Sequence, residues 1–218
     1  GDLYPKMDWA PRFLRAKTTF QSMAMDTVEG YHNSISILRQ DERKKLFSKP
    51  YKEKLNGYSS LNVFRKYSEK VKTLDPMKTA QYLDMKTYLV GDILTKVDRA
   101  SMAHSLEVRV PFLDHKFVEW GFQVPSEINL EAGVGKKSLK RAMEPHLPHD
   151  VLYRKKMGFS IPVAQWFRGP LKEKLYKGLL SDQMAKCGYF DMVQVRKLID
   201  QHVKGVKDNS APLWTLMM

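Results

Sequence analysis

Cysteine is almost absent from this chain. A single thiol, Cys187, in 218 residues excludes an internal disulfide framework and a cysteine-based zinc site, and it fits a reducing cytoplasm. Long apolar runs are missing too. No stretch approaches the roughly 20 residues needed to cross a bilayer, and the opening GDLYPKMDWAP lacks the features of a secretory signal. No alternation of polar and apolar residues runs to a useful strand length in the first half. Repeats, low-complexity segments, helix-turn-helix or zinc-finger spacing and aromatic RNA-recognition motifs are also lacking, so neither nucleic acid nor a membrane is the expected partner.

Acidic charge is the last shortage. Lys and Arg number 37 against 24 Asp and Glu, a formal net charge of +13. Such an excess suits nucleic acid, an acidic membrane surface or a phosphate-bearing substrate. The cations are spread through most of the expected helices, densest between Lys136 and Lys177, which also fits a solvated surface. One alternative is therefore a basic helical module that binds nucleic acid or polyphosphate, with affinity falling steeply as salt rises.

What is present is mostly helical patterning around one core, with near-average hydrophobic content and four Trp residues. Pro11 fits the first turn of a helix starting near Ala10, with Trp9, Phe13 and Leu14 as core anchors. Thr19 to Leu38 reads as a helix interrupted near Gly30, and Asp41 to Phe47 as a short charged helix from which Lys49-Pro50 breaks away. Leu61 to Thr73 should bury Val63, Phe64, Tyr67 and Val71. Asp75-Pro76 marks a helix start with Asp75 as N-cap, and the helix should run on towards Val90. Phe112 to Phe122 is expected to be helical, burying Phe112, Val118 and Trp120, with a loop at Gly133 to Gly135. Shorter helices are expected over Lys137–Met143, Gly169–Leu180, Asp191–Val203 and Ala211–Met218.

The chemistry gathers in YLVGDILTKVDRASMAHSLEVRVPFLDHK, Tyr88 to Lys116. Here Asp92, Lys96, Asp98, Arg99, His104, Glu107 and Arg109 sit among apolar side chains, and ionisable groups so placed must be paired, ligated or functional. Asp92 and Lys96 share a helix face. Leu89, Ile93, Val97 and Met102 form an approximate apolar stripe, and Glu107 to Val110 alternate as in an extended segment before Pro111. A purely structural reading pairs Asp92 with Lys96 and Glu107 with Arg109, and ties helix to loop through Asp98 and Arg99. A second informative site is Arg154-Lys155-Lys156-Met157-Gly158-Phe159, three cations and a glycine between Pro148 and Pro162, which suggests a fixed loop. Taken alone, it reads equally well as a basic surface loop.

DILTKVDRASMAHSLEVRVPFLDHKF resembles the synthetase domain of glutamine-hydrolysing asparagine synthetases. So does KKSLKRAMEPHLPHDVLYRKKMGFSIPVAQW, Lys136 to Trp166, at the expected distance downstream. The resemblance covers roughly Asp8 to Trp214. It implies that residues 1–218 are the mainly α, C-terminal helical part of an ATP pyrophosphatase α/β domain, whose parallel sheet, pyrophosphate loop and glutaminase domain are not in this sequence. The final LWTLMM breaks off where family members typically continue.

From the same resemblance, the implied cofactors are ATP and Mg²⁺. The implied reaction adenylates the side-chain carboxylate of aspartate, or another carboxylate in some homologues, and ammonia made from glutamine in a separate N-terminal domain completes the amide. The family's R-x-K-x-x-F lysine falls on Lys156, expected at the reacting carboxylate and the phosphate oxygens. The family's Asp near Mg²⁺–pyrophosphate falls on Asp92, with Lys96 and Arg154 as accompanying nucleotide-binding cations. The chain alone is expected to have little or no synthetase activity, and an uncovered apolar face is expected to favour self-association, as in a homodimer.

Overall fold

The computed structural model describes residues 25–131, 133–155 and 161–218. The chain divides into two compact units, one drawn from Gly1–Val63 and Ser160–Met218, the other from Phe64–Phe159. Helices dominate both, and the only sheet among the described residues has two strands.

In the first unit, four helices begin where a short polar side chain accepts an orphan N–H. Asp26, Ser48, Ser181 and Asp191 cap Thr27–Ile35, Lys49–Leu55, Asp182–Lys186 and Met192–Val203 in this way. Gly30 does not interrupt Thr27–Ile35. One glycine costs about 1 kcal/mol in a helix interior, too little to outweigh a capped start. Nor does Pro50 break the chain away from Gln40–Leu46 for long: it occupies the first turn of the next helix, where proline forfeits no intrahelical bond.

Seven residues make the core: Leu46, Phe167, Leu175, Leu179, Val195, Ile199 and Leu213. They come from Gln40–Leu46, Val163–Arg168, Lys172–Leu179, Met192–Val203 and Ser210–Met217, each presenting one apolar stripe. A second tie joins Phe47 to Phe190, where the backbones bridge. Asp191 N–H donates to Leu46 O at 2.8 Å, Ser48 N–H to Tyr189 O at 2.9 Å, and the Ser48 hydroxyl to Gly188 O at 2.5 Å.

Inside this unit lies one fully buried polar knot. His202 is 0% exposed. Its Nε2 is 3.1 Å from Ala164 O, which can only accept, and its Nδ1 is 3.2 Å from Asn209 N–H, which can only donate. The partners therefore fix the neutral Nε2–H tautomer. Asp208 Oδ1, 3.5 Å from Nδ1, would make an ion pair only with a protonated ring, and Asn209 N–H already occupies that nitrogen. Arg168 Nε donates to His202 O at 2.9 Å and Asn209 Nδ2 to Leu198 O at 3.0 Å, so the knot links three helices.

Burial, helped by the Arg168 charge, lowers the His202 pKa below its ordinary value, against the raising effects of Ala164 O and Asp208. His32, 2.9 Å from Ser60 Oγ, is lowered by burial and by Arg43. A depressed histidine pKa means that the unfolded chain binds more protons, so stability is complete above the unfolded value of about 6.5 and falls as pH drops below it. The urea midpoint should therefore fall between pH 7.5 and 5.5, with a shallower slope in His202→Gln. A midpoint that is flat, or that rises on acidification, would contradict this.

In the second unit Asp75 caps Pro76–Lys86 by accepting Lys78 N–H at 3.0 Å, and the Ser126 hydroxyl donates to the same carboxylate. Leu83 and Phe64 are buried. Leu61–Ser68 ends earlier than expected, in a short 3-10 turn, and Val63 is exposed. After Thr87 the chain forms a π-helix, Leu89–Leu94, then an α-helix, Thr95–Met102. Asp114 caps His115–Gln123 through Lys116 N–H and Phe117 N–H. The expected loop at Gly133–Gly135 is instead partly strand: Leu130–Glu131 pairs antiparallel with Val134–Gly135, in the register Leu130↔Gly135 and Glu131↔Val134. A Lys137–Glu131 ion pair anchors the next helix, Lys137–Met143, to this hairpin.

Much apolar surface of this unit is uncovered. Val90, Met102, Leu106, Phe112 and Trp120 are each more than half exposed. The expected burial of Phe112 and Trp120 is thus not met, because the described residues supply no layer over them. Instead Phe112 stacks edge-on against Phe117, which lies against Trp120. Among the described residues no helix is long and apolar enough to cross a membrane.

Candidate nucleotide-phosphate site

Asp92 and Lys96 are brought together as their spacing implies. Lys96 Nζ lies 3.7 Å from Asp92 Oδ2, with the side chains 64% and 51% exposed. An open i,i+4 pair contributes only about 0.3–0.5 kcal/mol, so the fold does not depend on it and both groups are free to engage a ligand. Glu107 and Arg109 form their expected pair at 2.5 Å, also in the open. Asp98 and Arg99 do not tie helix to loop. Both are exposed and enter no ion pair among the described residues, because nothing described covers that face of Thr95–Met102. His104 is exposed as well.

The turn carrying Asp92 is the unusual part. The Thr87 hydroxyl donates to Leu83 O at 2.6 Å and its N–H turns to Asp84 O, which closes Pro76–Lys86. The next six residues, LVGDIL, run in π register, a geometry rare in proteins and frequent at functional sites. The Thr95 hydroxyl then meets Val90 O at 2.8 Å. Sequence reasoning gave Thr95 no weight, since no apolar periodicity marks a hydroxyl five residues beyond its acceptor.

Arg154 stands at the end of the His149–Tyr153 helix in extended backbone, φ −55° and ψ 146°, exposed together with Lys155. Among the described residues it forms no ion pair with Asp92. The helix before it is held by the Tyr153 hydroxyl donating to Glu144 Oε1 at 2.5 Å and by Lys140 Nζ 5.3 Å from the Tyr153 ring centroid. The Glu144 carboxylate and burial raise the Tyr153 pKa, keeping the phenol a donor. Lys156 and the following Met157-Gly158-Phe159 lie outside the described residues.

Among the described residues no group of three His, Cys, Asp or Glu side chains converges as a cation site. Mg²⁺ commonly takes one or two carboxylates together with substrate phosphates. Asp92, open and beside a lysine suited to phosphate, fits that pattern rather than a protein-only metal cage. A separate groove of about 920 Å³ in the other unit is lined by Lys174, Lys177, Met184 and Met217, among others, and holds none of these residues. Cys187 at its rim is exposed and donates to Met184 O, an ordinary thiol.

Comparison with known proteins meets this geometry from another side. The asparagine synthase family model matches residues 4–218. A Bacillus subtilis (strain 168) protein named asparagine synthetase [glutamine-hydrolyzing] 1 is 29% identical over 208 residues, 95% of this chain and 32% of that protein. A Mycobacterium tuberculosis (strain H37Rv) protein that also carries the asparagine synthetase name is 39% identical over 145 residues, 66% of this chain and 22% of that protein. Amidase chry2 of Gibberella zeae is 28% identical over 137 residues, 60% of this chain and 20% of that protein. The chain thus spans a third or less of the length of these relatives. No solved structure matches it. With a family model aligned along nearly its whole length, the chain belongs to the asparagine synthase family.

Proposed function

We propose that this chain is the helical, C-terminal part of the ATP pyrophosphatase domain of a larger glutamine-dependent synthetase. In that enzyme an aspartate side-chain carboxylate oxygen attacks the α-phosphorus of ATP. The bond to the β-phosphate oxygen breaks, pyrophosphate leaves, and an aspartyl-adenylate forms. Ammonia released from glutamine in another domain then adds to the acyl carbon and loses a proton, and AMP departs with its electron pair, leaving asparagine.

The observation that carries this reading is the open Asp92–Lys96 pair on its π turn, within a chain aligned to the family over residues 4–218. Asp92 would hold Mg²⁺, which when bound offsets phosphate charge. Lys96 and Arg154 supply point and planar positive charge for phosphate oxygens. Lys156 stabilises the negative charge that develops at the reacting carboxylate and α-phosphate.

The test is pyrophosphate release by the larger enzyme with ATP, Mg²⁺ and glutamine, comparing aspartate with glutamate and other carboxylates. Release that depends on aspartate is expected, and none from the isolated chain. Release only with a different carboxylate would keep the adenylation and overturn the substrate. Release by the isolated chain would overturn its assignment as an incomplete part of the active site.

A further inference from the structure

Thr95 makes two bonds back into the turn that carries Asp92. Its N–H points to the carbonyl of Asp92 itself, and its hydroxyl donates to Val90 O, two residues earlier, at 2.8 Å. Thr87 and Thr215 reach back four residues, to Leu83 O and Ala211 O, as threonine does in a regular helix. Thr79 reaches five, to Leu74 O at 3.4 Å, but across the start of its helix, where Leu74 precedes the Asp75 cap. Thr95 reaches five. The π turn holds one more residue than an α turn, and that brings Val90 O to the place where the i−4 carbonyl would stand.

We propose that Thr95 is a positioning residue for the nucleotide site: its hydroxyl holds the Leu89–Leu94 turn in π register and so aims the Asp92 carboxylate. The inference rests on the assignment of Asp92 made above. Relaxing the turn to α register would rotate its two sides against each other by about 100°, the angle of one residue. Asp92 and Lys96, four residues apart, would still share a face, but that face would turn relative to the Pro76–Lys86 helix before it. Thr95 lies between the two functional side chains in sequence and need not touch the ligand to fix where they point.

The test uses the larger synthetase and three variants, Thr95→Val, Thr95→Ser and Asp92→Asn. Affinity for Mg²⁺ with α,β-methylene-ATP, which cannot release pyrophosphate, is measured by calorimetry, and kcat and KM for ATP by pyrophosphate release. Removal of a residue that orients a ligating carboxylate typically costs 10–100-fold. Thr95→Val is accordingly expected to weaken analogue binding at least about tenfold and to raise KM more than it lowers kcat, with an unchanged far-UV spectrum. Thr95→Ser, which keeps the hydroxyl, should restore both.

If Asp92→Asn weakens binding and Thr95→Val does not, the positioning role is overturned while the site assignment stands. If Asp92→Asn changes neither binding nor rate, the assignment of Asp92 fails and the inference with it. Should valine prevent folding, Thr95→Ala removes the hydroxyl without added bulk, and the same outcomes decide.

Discussion

Replacing Lys156 with alanine is expected to lower kcat of the larger synthetase by about 10²–10³-fold, the usual cost of deleting one donor aimed at developing negative charge. KM for aspartate should move far less, because charge builds on the reacting oxygens only as the α-phosphorus is attacked. Neighbouring cations do not substitute. Arg154 is fixed at the end of the His149–Tyr153 helix, and a planar guanidinium two residues away does not reproduce a flexible ammonium. Lys156→Arg should for the same reason recover only part of the rate. Initial rates of pyrophosphate release at saturating ATP decide the matter. A Lys156→Ala enzyme that keeps its full rate would remove Lys156 from the chemistry.

Phe167→Ala carries the largest expected loss of stability, about 3–5 kcal/mol, the range for emptying an aromatic site in a closed core. Phe167 is fully buried. Its ring centroid lies 6.2 Å from those of both His202, edge-on, and Trp214. The vacated volume would therefore open beside a buried polar knot in which Asn209 Oδ1 already lacks a hydrogen-bond partner among the described residues. Hydrogen exchange read by segment should show faster exchange in Val163–Arg168, Met192–Val203 and Ser210–Met217, with Pro76–Lys86 little changed. A loss below about 1 kcal/mol would mean that the core collapses around the gap.

Helix positions in this chain were legible wherever a cap and a stripe coincide. Asp75-Pro76 predicts its helix start, and Met192–Val203 runs from its Asp191 cap as the apolar spacing implies. Tyr88 to Met102 was harder. Its stripe was read at a period of 3.6, but six residues of π register break that period, so Leu89 and Ile93 are half-buried while Val97 and Met102 face outward. The hairpin at Leu130–Gly135 was missed because two-residue strands are too short to show alternation. His202 did carry a signal: it follows Val195 and Ile199 at steps of four and three, on the face that proves buried. The pairing of Asp92 with Lys96 was readable from spacing alone, whereas the π register of the backbone that carries Asp92 was not.

The Ser48–Gly188 hydrogen bond spans 140 residues of sequence, and this sets an order of events on the ribosome. The Gln40–Leu46 helix emerges early but cannot close its core until the Lys172–Leu179 and Met192–Val203 helices have been made. At ordinary synthesis rates of 5–20 residues per second, the wait is roughly 7–30 s. During that interval all of Phe64–Phe159 is produced, with its apolar side chains already in the open. The nascent chain therefore passes through a long stage in which one half has met no partner and the other awaits its second strand of sequence, the stage at which chaperones have most to hold.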